Sequence, residues 1–464
     1  MGPFKIGTIV LFLCRMFHYY FLNIMNKPSS SKVSVPGLRH VALASALCCA
    51  GLAQAQTDSS VTLYGLADVG ITSVSGLKAG TVTQVASGIM EGSRWGIKGT
   101  EDLGGGYKAI FTLESRVELD TGGNSSTPIS GGQLADRYSD ATLLGLPPVF
   151  AAPPAPTMQG VLDQLVPRLA GQIYGVNIGS YGNRMFDRQA FVGLITPVGA
   201  VLAGRMYTPA FETNAMFDIM ETQSGLSAGQ LVSFPAILEI RQSNAIAYRI
   251  AKDGMAGSLY YALGDRGEAT NNDSRMLAFN ASYKANGFAV GLGHNASKNE
   301  AGQDALKSTV LGASMTTGPH KVSGMAIRIT EDNPANMGDI GAAVLGATGS
   351  SALAGLIQGA YTEALKQDGR LYHLGYRYTT GPHTVSVAYN TFNDKRPADT
   401  DVSSYGAAYT YALSKRTDLN AVLVRFDNGE RGQTAPGGNG YLGGVTASAG
   451  TDSTGLALGI RHRF

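Results

Sequence analysis

The stretch TGLALGIRHRF at Thr454–Phe464 is the strongest indication of the fold. Taken two residues at a time, it places four apolar side chains on one face, namely Leu456, Leu458, Ile460 and Phe464. A period of two predicts a β-strand with one apolar face, and about 9–11 tilted residues suffice for a strand to cross a bilayer. A terminal aromatic suits a bilayer interface. If this strand closes a membrane barrel, the rest of the chain must supply the other strands.

The composition favours such a barrel over a helical membrane protein. Only 15% of the 464 residues are charged, against about 25% in an average soluble domain. Glycine (61) and tyrosine (21) are abundant, yet apolar runs long enough for several membrane helices are missing. Residues 1–55 carry five basic and no acidic residues, so the remainder has a net charge of −3 and nothing indicates a nucleic-acid partner. A large soluble all-β protein remains the alternative at this point.

The first 55 residues are predicted to be a leader. Residues 25–55 resemble a secretory signal peptide, with three basic residues, an apolar segment at 41–52 and the cleavage motif Ala53-Gln54-Ala55. Residues 1–24 are not needed for export, and we interpret them as a start-site over-extension before Met25. All three cysteines lie in this leader, so the mature chain, residues 56–464, needs no disulfide.

Strand polarity distinguishes a membrane barrel from a soluble one. In the clearest strand, Tyr107–Asp120, apolar residues alternate with charged residues of both signs. A polar face carrying both charges predicts a water-filled interior, whereas a soluble barrel has its apolar residues inside. The pattern repeats along the chain and gives about sixteen strands, an even number as expected for a bacterial barrel.

The connections between the strands alternate in length. Seven are tight turns, such as the two TTGPH turns at Thr316–His320 and Thr379–His383. Between them lie eight long segments, at 74–89, 121–187, 207–239, 264–274, 296–305, 331–370, 392–402 and 427–453. Short turns on one rim and long loops on the other predict an all-β fold, a transmembrane antiparallel β-barrel in the outer membrane.

Two of the long loops are unusual. Residues 121–187 include the proline-rich Pro147–Pro156 and a predicted helix at Val161–Ile173. Residues 331–370 contain Ile340–Tyr361, an uncharged run of transmembrane length that could form a membrane helix or a plug. Because helices do not normally cross a membrane as part of a barrel wall, we favour a loop helix packed at the barrel mouth.

Several stretches resemble the general porins of Gram-negative bacteria, in particular their β-proteobacterial branch. They keep their order along nearly the whole mature chain: Ser59–Gly70, Ser93–Glu114, Asp187–Leu194, Gly204–Phe211, Arg241–Tyr248 and the terminal GIRHRF. The resemblance implies a sixteen-stranded barrel, usually a homotrimer, whose third long loop folds into the lumen. The second long loop usually contacts the neighbouring subunit; here it is much longer than typical.

The resemblance also implies the pore residues. An arginine ladder falls on Arg94, Arg188 and Arg241, and the strand alternation independently places all three on the lumen face. The third long loop carries Glu212, Asp218 and Glu221, which would face the ladder across the constriction. Further lumen candidates are Lys98, Arg116 and Arg205, and Phe464 matches the terminal aromatic that the outer-membrane assembly machinery recognises.

These features predict passive diffusion of small hydrophilic solutes and ions, without cofactor or metal, in contact with outer-membrane lipid and lipopolysaccharide. A barrel enzyme would need a nucleophile, a base and an orienting acid close together. Apart from histidines in the leader, the turns and the terminus, His294 and His373 remain, with no Ser or Asp motif around them. An adhesion or purely structural barrel is the third hypothesis, and only the loops 121–187 and 331–370 support it.

Overall fold

The computed structural model describes residues 57–124, 128–148, 157–166, 169, 184–232, 239–264, 274–438 and 443–464. The predicted leader and its start-site boundary lie outside the described residues. Parts of Pro147–Pro156 and of the predicted helix Val161–Ile173 also lie outside them.

The strands of the described residues form one antiparallel sheet. This sheet closes on itself, because the first strand pairs with the last. Its seventeen strands are Thr57–Leu77 (β1), Gly80–Ser87 (β2), Arg94–Gly104 (β3), Tyr107–Arg116 (β4), Gln189–Thr196 (β5), Gly199–Tyr207 (β6), Arg241–Lys252 (β7), Met255–Ala262 (β8), Met276–Ala285 (β9), Phe288–Lys298 (β10), Asp304–Thr317 (β11), His320–Glu331 (β12), Gln367–Thr380 (β13), His383–Asp394 (β14), Val402–Ala412 (β15), Thr417–Asn428 (β16) and Ser453–Arg463 (β17).

These seventeen strands occupy sixteen positions around the barrel. Strand β1 is 21 residues long and pairs with β3 through its first half and with β2 through its second half. β2 and β3 therefore follow one another along the same edge of β1, separated by residues 88–93. The predicted sixteen-stranded antiparallel barrel is confirmed.

The prediction of a long loop at 74–89 is wrong, because most of these residues form strands. β1 continues to Leu77, residues 78–79 form a tight turn, and β2 begins at Gly80, whose φ of 83° favours glycine. In the sequence GTVTQVAS the apolar side chains Val82, Val85 and Ala86 do not alternate regularly with polar ones, so periodicity did not predict this strand. The seven predicted tight turns are all present. They join β3 to β4, β5 to β6, β7 to β8, β9 to β10, β11 to β12, β13 to β14 and β15 to β16.

The two faces of the terminal strand match the prediction. Leu456, Leu458 and Ile460 are between 44% and 55% exposed on the outside, whereas Arg461 is buried inside. β17 pairs with β1 from Leu66 opposite Arg463 to Val74 opposite Gly455. Apolar side chains outside and charged ones inside are typical of a membrane barrel and opposite to a soluble one.

A group of helices at the long-loop end, here called the helical cap, has its own apolar core. It comprises Asp136–Ser139 (α1), residues 158–166 (α2), Met337–Thr348 (α4) and Ser351–Ala364 (α5). The remaining α-helix of the described residues, Pro209–Phe217 (α3), lies inside the barrel. Buried side chains from all four pack together, and the Tyr361 hydroxyl donates to the Tyr138 carbonyl. The run Ile340–Tyr361 thus forms two loop helices, as favoured. In the part of the chain described, no helix combines the length and the apolarity needed to cross a membrane.

Residues 88–93, here called the inner turn, fold against the inside of β1. The buried Asp68 carboxylate accepts hydrogen bonds from the backbone N–H groups of Ile89, Met90 and Glu91, at 3.0, 2.9 and 2.8 Å. Ser93 adds a bond from its hydroxyl to the Asp68 carbonyl, at 2.9 Å. One carboxylate on β1 therefore satisfies three consecutive donors of a segment that lies inside the barrel.

Replacing Asp68 with alanine should destabilise the barrel by more than about 2 kcal/mol, because an unsatisfied buried N–H costs about 1–3 kcal/mol and three lose their acceptor. Urea unfolding followed by the fluorescence of Trp95, the one tryptophan of the chain, measures the change. Asp102→Ala is the matched control, since that carboxylate accepts one backbone bond at a tight turn and is one-third exposed. Equal unfolding midpoints for the two variants would contradict this role of Asp68.

Candidate pore constriction

The third long connection spans residues 207–239 and is here called the constriction loop; its described residues, 207–232 and 239, lie inside the barrel. Its helix α3, Pro209–Phe217, begins with proline at the first position after an extended Thr208, an arrangement that suits the fixed φ of proline. The N–H of Ala210 donates to the Asn295 side chain on the inner face of β10, at 3.0 Å. The helix therefore starts on the barrel wall, as the predicted fold of this loop requires.

The end of α3 is held on the wall at Phe217. A β-carbon on Gly312 would lie 2.3 Å from the Phe217 ring, and one on Gly291 would lie 2.8 Å from it. Glycine at these two positions leaves the space that the ring fills. The Ser323 hydroxyl also donates to the Phe217 carbonyl, at 2.5 Å.

The constriction loop and the inner turn touch each other. The N–H of Ser224 donates to the Met90 carbonyl, and Arg461 donates both to Gln223 and to Glu91, each at 2.9 Å. Burial alone would raise the pKa of Glu91, but the neighbouring arginines, Arg94 foremost, hold that pKa below its usual value. Two segments from different parts of the chain thus share the lumen and are joined by charged and backbone contacts.

The three ladder arginines come together around Glu114 and Tyr207. Arg188 donates to the Glu114 carboxylate at 2.8 Å and to the Tyr207 hydroxyl at 3.0 Å. Arg241 donates to the same hydroxyl at 3.1 Å, and its guanidinium lies 4.6 Å from the centre of the Tyr207 ring. Arg94 approaches Glu114 to 3.7 Å from the other side.

Burial separates these arginines into two kinds. Arg188 and Arg241 are buried, whereas 20% of the Arg94 side chain is exposed. Of the further lumen candidates, Arg205 donates to the Asp187 carbonyl at 2.6 Å and Arg116 lies 3.7 Å from the Asp187 carboxylate. Lys98 is exposed, with its ammonium 5.2 Å from the centre of the Tyr64 ring.

The acidic residues of the constriction loop have other partners than the ladder. Glu212 accepts from Arg249 at 2.7 Å and from Asn280 at 3.2 Å, and burial raises its pKa despite the arginine. Glu221 is the most exposed of the three and accepts from Arg377 at 2.6 Å. In the described chain, each of these two carboxylates is therefore paired with a cation outside the predicted ladder.

Asp218 departs from the prediction, because its side chain is fully buried. It accepts from the N–H groups of Met220 and Thr222 at 2.9 and 3.1 Å and from the Ser227 hydroxyl at 2.5 Å. A carboxylate without exposed surface cannot touch a passing solute. Asp218 instead holds the turn that follows α3.

Sequence reasoning missed the residues that connect the charged groups. Glu114 and Tyr207 link the ladder arginines, and Arg249 and Arg377 pair with the loop carboxylates. Glu114, Arg249 and Arg377 lie on inward positions of their strands, so the strand alternation could have identified them. Tyr207 follows an irregularity in the β6–β7 pairing, beyond which the alternation of β6 no longer holds. Their pairing depends on how the constriction loop crosses the lumen, and strand periodicity does not contain that information.

The last residue takes part in closing the barrel. Phe464 exchanges two backbone hydrogen bonds with Gly65, both at 3.1 Å, and its ring lies over that glycine. Half of the Phe464 side chain remains exposed. Among the described residues, no group of three His, Cys, Asp or Glu side chains could hold a metal ion.

Comparisons with known proteins agree with this architecture. A porin of Delftia acidovorans, outer membrane porin protein 32, is 26% identical over 90% of this chain and 97% of its own length. An outer membrane porin protein of Bordetella pertussis is 36% identical over 102 residues, which are 19% of this chain and 26% of that protein. The solved anion-selective porin from Comamonas acidovorans aligns with a TM-score of 0.61 and 21% identity, covering 88% of this chain and all of that one.

The family profile for Gram-negative porins matches residues 41–431, which is most of the chain. The barrel, with its apolar exterior and its charged interior, has the fold of these proteins. The chain belongs to the Gram-negative porin family, and its place is the outer membrane.

Proposed function

We propose that this outer-membrane porin is a water-filled channel for passive diffusion of small hydrophilic solutes and ions, narrowed by the constriction loop. The observation that carries the proposal is the seating of α3 on the inner wall through Phe217, beside inward-facing charged side chains. A loop that covers part of the lumen sets a size limit, and the charges around it set ion preference.

The charges are arranged to give a field across the lumen. The cluster of Arg94, Arg188 and Arg241 lies on the wall formed by β3 to β7. The loop contributes Glu212 and Glu221, which are 25% and 46% exposed. Fixed charges in a narrow channel act on passing ions without binding them tightly.

We propose a preference for anions. Burial and three hydrogen bonds withdraw the Asp218 carboxylate from the lumen, and the more exposed Glu212 and Glu221 are each paired with an arginine of the wall. Arg94 keeps an exposed surface. The Comamonas acidovorans porin that shares this fold is described as anion-selective.

The partners follow from the family resemblance. We propose a homotrimer in contact with outer-membrane lipid and lipopolysaccharide, and recognition of Phe464 by the outer-membrane assembly machinery. The half-exposed ring of Phe464 supports that role. Comparing the amounts inserted with and without this residue tests it.

Purified protein added to planar bilayers should produce discrete conducting steps, because the lumen is lined by charged and polar side chains that hold water. Steps of uniform size that accumulate with time are the expected result. A barrel that only binds partners at the cell surface, or a barrel enzyme, would give none. Their complete absence would contradict the channel function.

Replacing Arg94 with glutamine should lower the anion-to-cation permeability ratio about twofold. One charge about 10 Å from an ion in water contributes about 0.4 kcal/mol, and 0.15 M salt screens it over about 8 Å. Reversal potentials in a salt gradient measure the ratio, and the effect should fade at 1 M salt.

Arg425→Gln is the control for Arg94, since Arg425 lies at the long-loop end of β16 and pairs with Asp427 and Asp452. An equal shift in both variants would contradict a local role for Arg94. So would an unchanged ratio in the Arg94 variant.

Replacing Gly312 with alanine should reduce the size of the conducting steps, because the added methyl occupies the place of the Phe217 ring and moves α3 towards the lumen axis. Gly324→Ala is matched on the neighbouring strand, where the added carbon meets nothing closer than 3.7 Å. Single-channel recordings of the two variants give the comparison. If both conduct like the original protein, the seating of the loop does not set the channel width.

A further inference from the structure

His373 lies on the inner face of β13, directly beneath the constriction loop. Its side chain is fully buried, and both ring nitrogens have partners. The N–H of Ile219 in the loop is 3.0 Å from Nε2, and the side-chain oxygen of Asn390 on β14 is 2.6 Å from Nδ1. The loop thus rests on the wall through an imidazole.

The surrounding bonds determine which nitrogen of His373 carries the proton. A backbone N–H can only donate, so Nε2 must accept from Ile219. The amide nitrogen of Asn390 donates to the Leu226 carbonyl at 3.1 Å and to the Ser404 hydroxyl at 3.0 Å, which leaves the amide oxygen as the acceptor from Nδ1. The network therefore requires a neutral imidazole with its proton on Nδ1.

The pair of His373 and Asn390 holds the loop at two points. The two residues are directly opposite in the β13–β14 register. His373 holds the N–H of Ile219, and Asn390 holds the carbonyl of Leu226, so they bracket the turn that follows α3. A β-carbon on Gly375 would lie 2.3 Å from the Ile219 side chain, which shows how closely the loop lies on the wall here.

Charged groups surround this contact. Asp218 lies 4.0 Å from Nε2, and it already accepts the three hydrogen bonds that shape the turn. Arg377, on the same strand as His373, donates to the Ile219 carbonyl and pairs with Glu221. From β12, Lys321 interacts electrostatically with Glu221, Arg377 and Asp218.

We infer that His373 is a positioning residue that holds the constriction loop only while its imidazole is neutral, so that acid loosens the loop. This inference rests on the proposed function, in which that loop narrows the channel. Once Nε2 carries a proton it can no longer accept a hydrogen bond, so its hydrogen bond from the N–H of Ile219 is lost. The new N–H has Asp218 as its nearest acceptor and competes with the three donors of the turn, so the segment between Ile219 and Leu226 rearranges.

The other histidines of the described chain lie on the outer face and bond there. His294 contacts the Thr309 hydroxyl, His320 contacts Tyr376, His383 contacts Tyr409 and His462 contacts Thr417. Glu239, at the end of the loop, is a second group that can respond to pH, because burial raises its pKa to about 7 although Ser297 donates to it. The experiment must therefore distinguish a pH response of His373 from one of Glu239.

The experiment records single channels in planar bilayers at pH 8 and pH 5. These two conditions span the pH range in which histidine is the side chain that ordinarily changes its charge. The unmodified protein should conduct steadily at pH 8. At pH 5 it should switch between conductance levels at least about tenfold more often, as the loop leaves its position.

His373→Gln should conduct steadily at both pH values, because an amide oxygen accepts from Ile219 and does not titrate. His373→Ala, which offers no acceptor, should switch at both. His294→Gln is the matched control on the outer face and should keep the response of the unmodified protein.

Steady conduction of the unmodified protein at pH 5 would overturn the inference. An unchanged acid response in His373→Gln would also overturn it and assign the response to other groups such as Glu239. Absence of conducting steps at any pH would contradict the proposed function itself, and the two failures are therefore distinguishable.

Discussion

Pairing between β1 and β17 closes the sheet into a barrel and leaves it without an edge. In a bilayer, a strand edge without a partner would leave a row of backbone N–H and C=O groups without hydrogen bonds, each at a cost of several kcal/mol. Nine residue pairs from Leu66 with Arg463 to Val74 with Gly455 remove that edge. Closure also fixes which face is inside, so arginine, histidine and carboxylate side chains of the strands are directed to one enclosed space.

Inside that space, the chain satisfies polar groups in pairs and networks rather than leaving them to water alone. Asp68 accepts three backbone bonds from the inner turn, and Asp218 accepts three bonds within the constriction loop. His373 and Asn390 then attach the loop to the wall. The lumen is therefore not an empty cylinder but a wall with two attached segments, whose positions depend on a few buried polar side chains.

The sequence was sufficient for the barrel because membrane strands repeat a simple physical pattern. Alternation in β4 and β17, tight turns with glycine, and long loops between them predicted sixteen positions and the lumen face of the three ladder arginines. The resemblance added the inward third loop.

The strand β2 was missed because GTVTQVAS carries too few apolar residues for its alternation to be visible. Asp218 was assigned to the pore because its charge is visible in the sequence, whereas its burial depends on the fold of the loop. Glu114 and Tyr207 gained their importance from contacts across strands, which periodicity along one strand does not encode.

Polymer exclusion measures whether, as we claim, the constriction loop and the inner turn narrow the sixteen-stranded lumen. Single-channel conductance is recorded in salt solutions that contain poly(ethylene glycol) of increasing size; polymers that enter the pore lower the conductance, and excluded ones do not. We expect exclusion to begin at polymers clearly smaller than an unobstructed sixteen-stranded barrel would admit. Entry of every polymer that fits such an open barrel would contradict the claim.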